Sequence, residues 1–109
     1  PIVKQDAKMS KALIKMTKKS FGCLGVLDKQ NNIVGIITDG DLRRKLNSKF
    51  FDKKAYEVMT KNPAIASKKM LVGEALNIMN RKKITSLFIC EKKKPVGIVH
   101  IHDLLRLTS

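Results

Sequence analysis

The sequence predicts an α/β (α+β) fold made of two unequal copies of one β-α-β-β-α unit, and internal repetition carries that prediction. Val34-Gly35-Ile36-Ile37 returns 62 residues later as Val96-Gly97-Ile98-Val99. The match runs on through Asp41-Leu42 with Asp103-Leu104 and Arg44 with Arg106. Upstream, Ala12-Leu13 and Met16 return 63 residues later as Ala75-Leu76 and Met79, and Leu24 and Val26 as Leu87 and Ile89. One residue is lost where Lys29-Gln30-Asn31-Asn32 shortens to Lys92-Lys93-Lys94, an exposed turn of the kind that absorbs length changes.

Each copy has the same rhythm. Residues 2–3 and 64–66 open the units as short strands. Met9, Ala12, Leu13 and Met16 then recur at helical spacing with lysines between them, and Val72, Ala75, Leu76 and Met79 repeat that stripe. Residues 23–27 and 87–90 are apolar and β-rich, as strands with a buried face require. A polar turn follows, and Asn31-Asn32 suits it because Asn tolerates left-handed backbone. Second strands are expected over 34–37 and 96–101, and closing helices over 41–46 and 103–107. Residues 1–49 are expected to form the first repeat, with a truncated start among the expectations, and 62–109 the second. Residues 50–61 are a linker entering a short helix, which Pro63 stops. A strand pair alone is marginal, so the two halves are expected to bury each other's apolar faces.

The chain has 109 residues, enough to bury roughly 60–65% of its unfolded surface without metal or disulfide. Cys23 and Cys90 sit in apolar runs and are expected as reduced core thiols. No apolar stretch nears the ~20 residues of a membrane helix, and no signal-like segment opens the chain, so a cytoplasmic, non-membrane protein is expected. The five methionines, at 9, 16, 59, 70 and 79, read as core fillers rather than a metal box. Pro1 stands inside what already reads as a strand, so the chain is expected to be a fragment of a longer protein.

Lys and Arg total 23 against nine acidic residues, a net charge of +14. The excess is even, with 13 basic and 5 acidic side chains in residues 1–54 and 10 and 4 in the remainder. Such a field draws polyanions without naming one. The lysines alternate with apolar positions or crowd the Lys92-Lys93-Lys94 turn, as on a solvated surface. With one Tyr and no Trp there is no aromatic interleaving to stack bases, so a nucleic-acid-binding domain is the weaker alternative.

The sharpest local feature is Gly35-Ile36-Ile37-Thr38-Asp39-Gly40-Asp41-Leu42-Arg43-Arg44, where a strand gives way to a helix within a few residues. Gly35 removes bulk where a backbone or ligand approaches. Thr38 or Asp39 can cap the helix, whose free N–H groups also suit a phosphate. Asp41 offers a carboxylate able to take two ribose hydroxyls. A capped helix with no ligand is the competing reading. Neither the Walker pattern nor Gly-x-Gly-x-x-Gly is present, so phosphate chemistry has no machinery here. In the second copy, Gly97-Ile98-Val99-His100-Ile101-His102-Asp103, a continuous strand would set His100 and His102 on one face. Two imidazoles without further ligands do not make a zinc site, and no nucleophile–His set is assignable. Neither catalytic nor metal-binding residues are expected.

The repeat and the Gly-h-h-Thr-x-x-Asp segment, h being apolar, resemble tandem cystathionine-β-synthase (CBS) domains, the Bateman module. The resemblance spans essentially the whole chain. It is closer still to the C-terminal part of bacterial arabinose-5-phosphate isomerases of the KdsD/KpsF type. The residues that carry it are Phe21-Gly22-Cys23-Leu24-Gly25-Val26, residues 34–44, Glu57-Val58-Met59-Thr60, Ile84-Thr85-Ser86-Leu87-Phe88, and His100-Ile101-His102-Asp103-Leu104-Leu105-Arg106.

That resemblance implies a pseudo-twofold pair of repeats with clefts that bind adenine nucleotides or other regulatory ligands. Its Thr/Asp pair falls on Thr38 and Asp41; in the second half Asp103 is kept and His100 replaces Thr. The implied ligand-binding set is Gly35, Thr38, Asp39, Asp41, Arg44, Gly97, His100, His102 and Asp103. No cofactor is required, and a regulatory ligand such as AMP, ATP or a CMP-Kdo-like molecule is implied. Implied partners are a missing N-terminal sugar-isomerase domain, a small phosphorylated ligand, and further copies in a homodimer or larger homo-oligomer. The parent reaction would interconvert ribulose 5-phosphate and arabinose 5-phosphate on the route to the lipopolysaccharide sugar Kdo. The alternative from another class is a ligand-free structural and dimerising module.

Overall fold

The protein was analysed as a computed structural model, which describes residues 1–19 and 22–108. Phe21 of the motif above and Ser109 lie outside the described residues. The chain divides into two units, Pro1–Pro63 and Ala64–Ser109.

In the first unit, strand β1 (Ile2–Lys4) runs parallel to β2 (Cys23–Leu27), and helix α1 (Met9–Lys19) makes the crossover between them. Met9, Ala12 and Met16 are buried along one stripe of α1, as their spacing predicts. Strand β2 is buried at every position because it lies between two neighbours. Strand β3 (Ile33–Thr38) pairs antiparallel with β2, setting Cys23 opposite Thr38. In the turn between them Asn31 takes the left-handed conformation at φ 67°. Asp28 Oδ1 accepts hydrogen bonds from the N–H groups of Gln30 and Asn32 there, a side-chain-closed turn. Helix α2 (Asp39–Lys45) follows directly.

Residues 50–61, expected as a linker, pack as part of this unit. A 3-10 turn (Phe50–Asp52), helix α3 (Ala55–Val58) and strand β4 (Thr60–Lys61) follow one another. Phe50, Ala55 and Val58 are wholly buried in the same cluster as Val3, Met9, Leu24 and Ile37. Strand β4 pairs antiparallel with β3, Gly35 opposite Lys61 and Ile36 opposite Thr60, giving the sheet order β1-β2-β3-β4.

The second unit repeats the plan with β5 (Ile65–Ala66), α4 (Val72–Lys82), β6 (Ser86–Glu91), β7 (Lys94–His100) and α5 (Ile101–Thr108). Strand β5 is parallel to β6, and β6 is antiparallel to β7. Ala75, Met79, Leu87 and Leu104 are buried in its core. Helix α4 ends on Lys83 in left-handed geometry, and the Ile84 N–H reaches back to the Met79 carbonyl at 3.0 Å. This sheet has three strands, β5-β6-β7, with no described counterpart of β4. Each unit thus shows the expected β-α-β-β-α order.

Candidate functional site

The strand-to-helix junction of the first unit gathers most of the sequence-derived candidates. Thr38, the last residue of β3, is the N-cap of α2, which settles the choice between Thr38 and Asp39. Its hydroxyl accepts from the Asp41 N–H at 3.3 Å, and Asp41 Oδ2 accepts from the Thr38 N–H at 2.9 Å. This reciprocal box satisfies two helix-end donors at once. The Thr38 hydroxyl also donates to Asp41 Oδ2 at 3.3 Å.

Asp41 Oδ1 takes two further donors. Arg44 Nη2 lies 2.8 Å away, one turn along α2, and the Thr60 hydroxyl of β4 lies 2.9 Å away. The carboxylate is only 1% exposed, yet its four donors fill the roughly four lone-pair positions a carboxylate offers. Arg44 is 66% exposed, so that ion pair adds little stability of its own. Its guanidinium folds over Gly40, with Nη1 3.1 Å from where a Cβ on Gly40 would stand.

Asp39 is exposed, and its Oδ2 lies 3.4 Å from the would-be Cβ of Gly22, which has a left-handed φ of 71°. Gly35 is buried. The space its missing side chain leaves is filled by Met59, whose Sδ lies 2.2 Å from the would-be Cβ. Met59 and Thr60 therefore close over the junction. Sequence reasoning placed them in the family-like Glu57-Val58-Met59-Thr60 motif without giving either a part in the site.

The second unit carries the parallel arrangement with one change of cap. Strand β7 ends at His100, and His102 lies in the first turn of α5, so the two imidazoles do not share a strand face. The backbone turns because His100 acts where Thr38 acts: its Nδ1 accepts from the His102 N–H at 3.1 Å. The rings meet edge-on with centroids 4.7 Å apart. Asp103 Oδ2 accepts from the His100 N–H at 3.4 Å, and Arg106 pairs with Asp103 Oδ1 as Arg44 does with Asp41. Asp103 is half-exposed, and among the described residues the would-be Cβ of Gly97 meets only Ile89 Cδ1, at 4.0 Å. Among the described residues no three or more His, Cys, Asp and Glu side chains gather as a metal set, and no helix is long and apolar enough to cross a membrane.

A family model for the CBS domain matches residues 1–48 and 55–109. The chain belongs to the CBS domain family. Its two CBS repeats form a tandem, or Bateman, module homologous to the CBS-domain region of KdsD-type isomerases. The module is 45% identical over 107 residues to an uncharacterized protein of Rickettsia prowazekii, covering 98% of this chain and 34% of that one. It is 37% identical over 108 residues to the arabinose 5-phosphate isomerase KdsD of Yersinia pestis, covering 97% and 33%. The chain thus spans about a third of the length of these curated relatives. Among solved structures it resembles the CBS domain pair of protein MJ0100 in complex with 5′-methylthioadenosine and S-adenosyl-L-methionine. That similarity has a TM-score of 0.82 at 25% identity, over 99% of this chain and 88% of that one.

Proposed function

We propose that this CBS pair is the regulatory module of a cytoplasmic arabinose-5-phosphate isomerase, and that it binds an adenine nucleotide or another phosphorylated ligand such as CMP-Kdo. The observation that carries the ligand reading is the Thr38–Asp41 box at the start of α2. A hydroxyl, a carboxylate and a helix start converge there, next to the cation of Arg44. MJ0100, a related CBS pair, was solved with two adenosine-containing ligands, and a ribose presents hydroxyls of the kind a carboxylate accepts. The net charge of +14 favours an anionic ligand. The parent activity rests on the KdsD relative, which the module matches along nearly all of its own length. In that setting a sugar-isomerase domain would supply catalysis, and the CBS pair would supply regulation and contacts between copies.

Calorimetric titration of the chain with AMP, ATP, CMP-Kdo and arabinose 5-phosphate tests the reading. Saturable binding of at least one, weakened by Asp41→Ala, is expected. Absence of binding at millimolar ligand would remove it.

A second reading has an observation of its own. Asp41 is buried and has no acceptor position to spare, which is what a purely structural cap requires. In that case the module only holds copies together. Asp41→Ala in the whole isomerase would then lower stability while leaving the assembly and turnover of the folded enzyme unchanged, and none of the four ligands would bind the wild-type chain.

A further inference from the structure

Asp41 cannot accept a ligand hydroxyl without losing one of its present donors. Three of the four belong to the strand–helix unit itself. The Thr38 N–H and hydroxyl are the two halves of the N-cap, and Arg44 is a charged donor one turn away on the same helix. Giving up either cap contact would unsettle the start of α2, and Arg44, folded over Gly40, is carried on the same helix as Asp41 and stays beside it. Among the described residues, Thr60 is the one donor to Asp41 from outside β3 and α2. It is a neutral hydroxyl on an exposed residue, chemically the same donor as a ribose hydroxyl.

We infer that Thr60 is a competitive latch on Asp41: a ligand hydroxyl that binds Asp41 Oδ1 takes the place of the Thr60 hydroxyl and loosens β4. The inference rests on the ligand reading above and adds its regulation. Strand β4 is short, two residues in register with Gly35 and Ile36, so one side-chain bond is a large part of what holds it. Two other ties lie just before the latch. Met59 packs over Gly35, and Lys45 Nζ on α2 donates to the Val58 carbonyl. Releasing Thr60 therefore leaves residues 58–59 anchored and frees the chain from Thr60 onward. That is the stretch leading through Asn62, itself left-handed at φ 54°, into β5 of the second repeat. Occupancy at Asp41 is thereby converted into slack in the connection between the repeats.

Thr60→Val tests this in the whole chain, since valine keeps the β-branched shape on an exposed strand and replaces only the hydroxyl. AMP is the probe, and 2′,3′-dideoxy-AMP, which lacks the ribose hydroxyls, is its control. The variant is expected to bind AMP about three- to tenfold more tightly, the value of one competing neutral hydrogen bond, with no gain for the dideoxy compound. Saturating AMP should also speed amide hydrogen exchange at the β3–β4 ladder of the wild-type chain. Wild-type binding that Thr60→Val leaves unchanged or weakens, or binding without faster ladder exchange, overturns the latch while leaving the ligand reading standing. Failure of both proteins to bind AMP overturns the latch together with that reading for adenine nucleotides.

Discussion

The side chain of Met59 occupies the place where Gly35 would carry a Cβ, with Sδ 2.2 Å and Cγ 2.7 Å from that position. The equivalent glycine of the second repeat, Gly97, has only Ile89 Cδ1 nearby, at 4.0 Å. The same residue thus answers two different physical demands. Gly35→Ala forces Met59 off its seat and is expected to cost about 1–3 kcal/mol. Gly97→Ala meets no obstacle and trims the freedom of the unfolded chain, so it should stabilise by up to about 1 kcal/mol. Urea denaturation of the two variants checks the opposite signs.

Phe50 is wholly buried among the core side chains of the first unit, and its neighbour Phe51 stands half-exposed against its ring edge. Phe50→Ala is expected to destabilise the first unit by about 3–5 kcal/mol through lost burial and a cavity. Phe51→Ala should cost under about 1 kcal/mol. If residues 50–52 served only as a tether, both changes would be equally mild in a denaturant melt.

Asp41 and Asp103 each accept from the N–H three residues before and pair with the arginine three residues after, and they differ in burial. Asp41→Ala removes a buried carboxylate and strips the Thr38 N–H of its acceptor, and about 2–4 kcal/mol should be lost. Asp103 lies half-exposed, where water replaces the lost acceptor, and its removal should cost under about 1 kcal/mol. Thermal melts of the two single variants measure the difference directly.

The β6–β7 hairpin turns through Lys92 and Lys93, both left-handed, at φ 49° and 67°. Two-residue hairpins of this hand favour Asn-Gly, and lysine carries a Cβ penalty at both positions. Lys92→Asn combined with Lys93→Gly is expected to stabilise by about 1 kcal/mol, read as a higher denaturation midpoint with unchanged slope.

Burial raises the Cys90 thiol above its ordinary value of 9.0. The folded protein therefore favours the neutral thiol. That preference costs nothing below the ordinary thiol range and is lost as stability when the pH rises past 9.0 through the raised value. Thiol-reagent labelling of Cys90, located by mass spectrometry, should be slow in the native chain at pH 8 and fast in urea. Stability should fall above about pH 9.

Much of the fold was legible because burial writes a period into the chain. Met9, Ala12 and Met16 announced one face of α1, and the unbroken apolar run Cys23-Leu24-Gly25-Val26-Leu27 announced a strand with at least one buried face, which the structure covers at every position. Asp41 could be picked out because its carboxylate stands at a strand-to-helix turn in the Thr-x-x-Asp spacing of the family, while its part in the capping box came from the structure. The strand was drawn one residue too far at Ile101, because its apolar character fits a strand end and a helix start equally well. The buried role of Phe50, Ala55 and Val58 was not legible, since a short apolar set with no clear period reads the same in a tether as in a core.

By itself the sequence determined the duplication and the order of strands and helices. These follow from local spacing, burial periodicity and cap chemistry acting over a few positions. Only the tertiary structure decided that Met59 fills the room above Gly35 and that Thr60 takes the last acceptor position on Asp41. Those contacts join residues 19 to 24 apart, and which side chain arrives there depends on how α3 and β4 pack back against β3. The second repeat shows the same reason in reverse: with the same glycine, aspartate and arginine but no described counterpart of β4 in its sheet, its aspartate stays half-exposed.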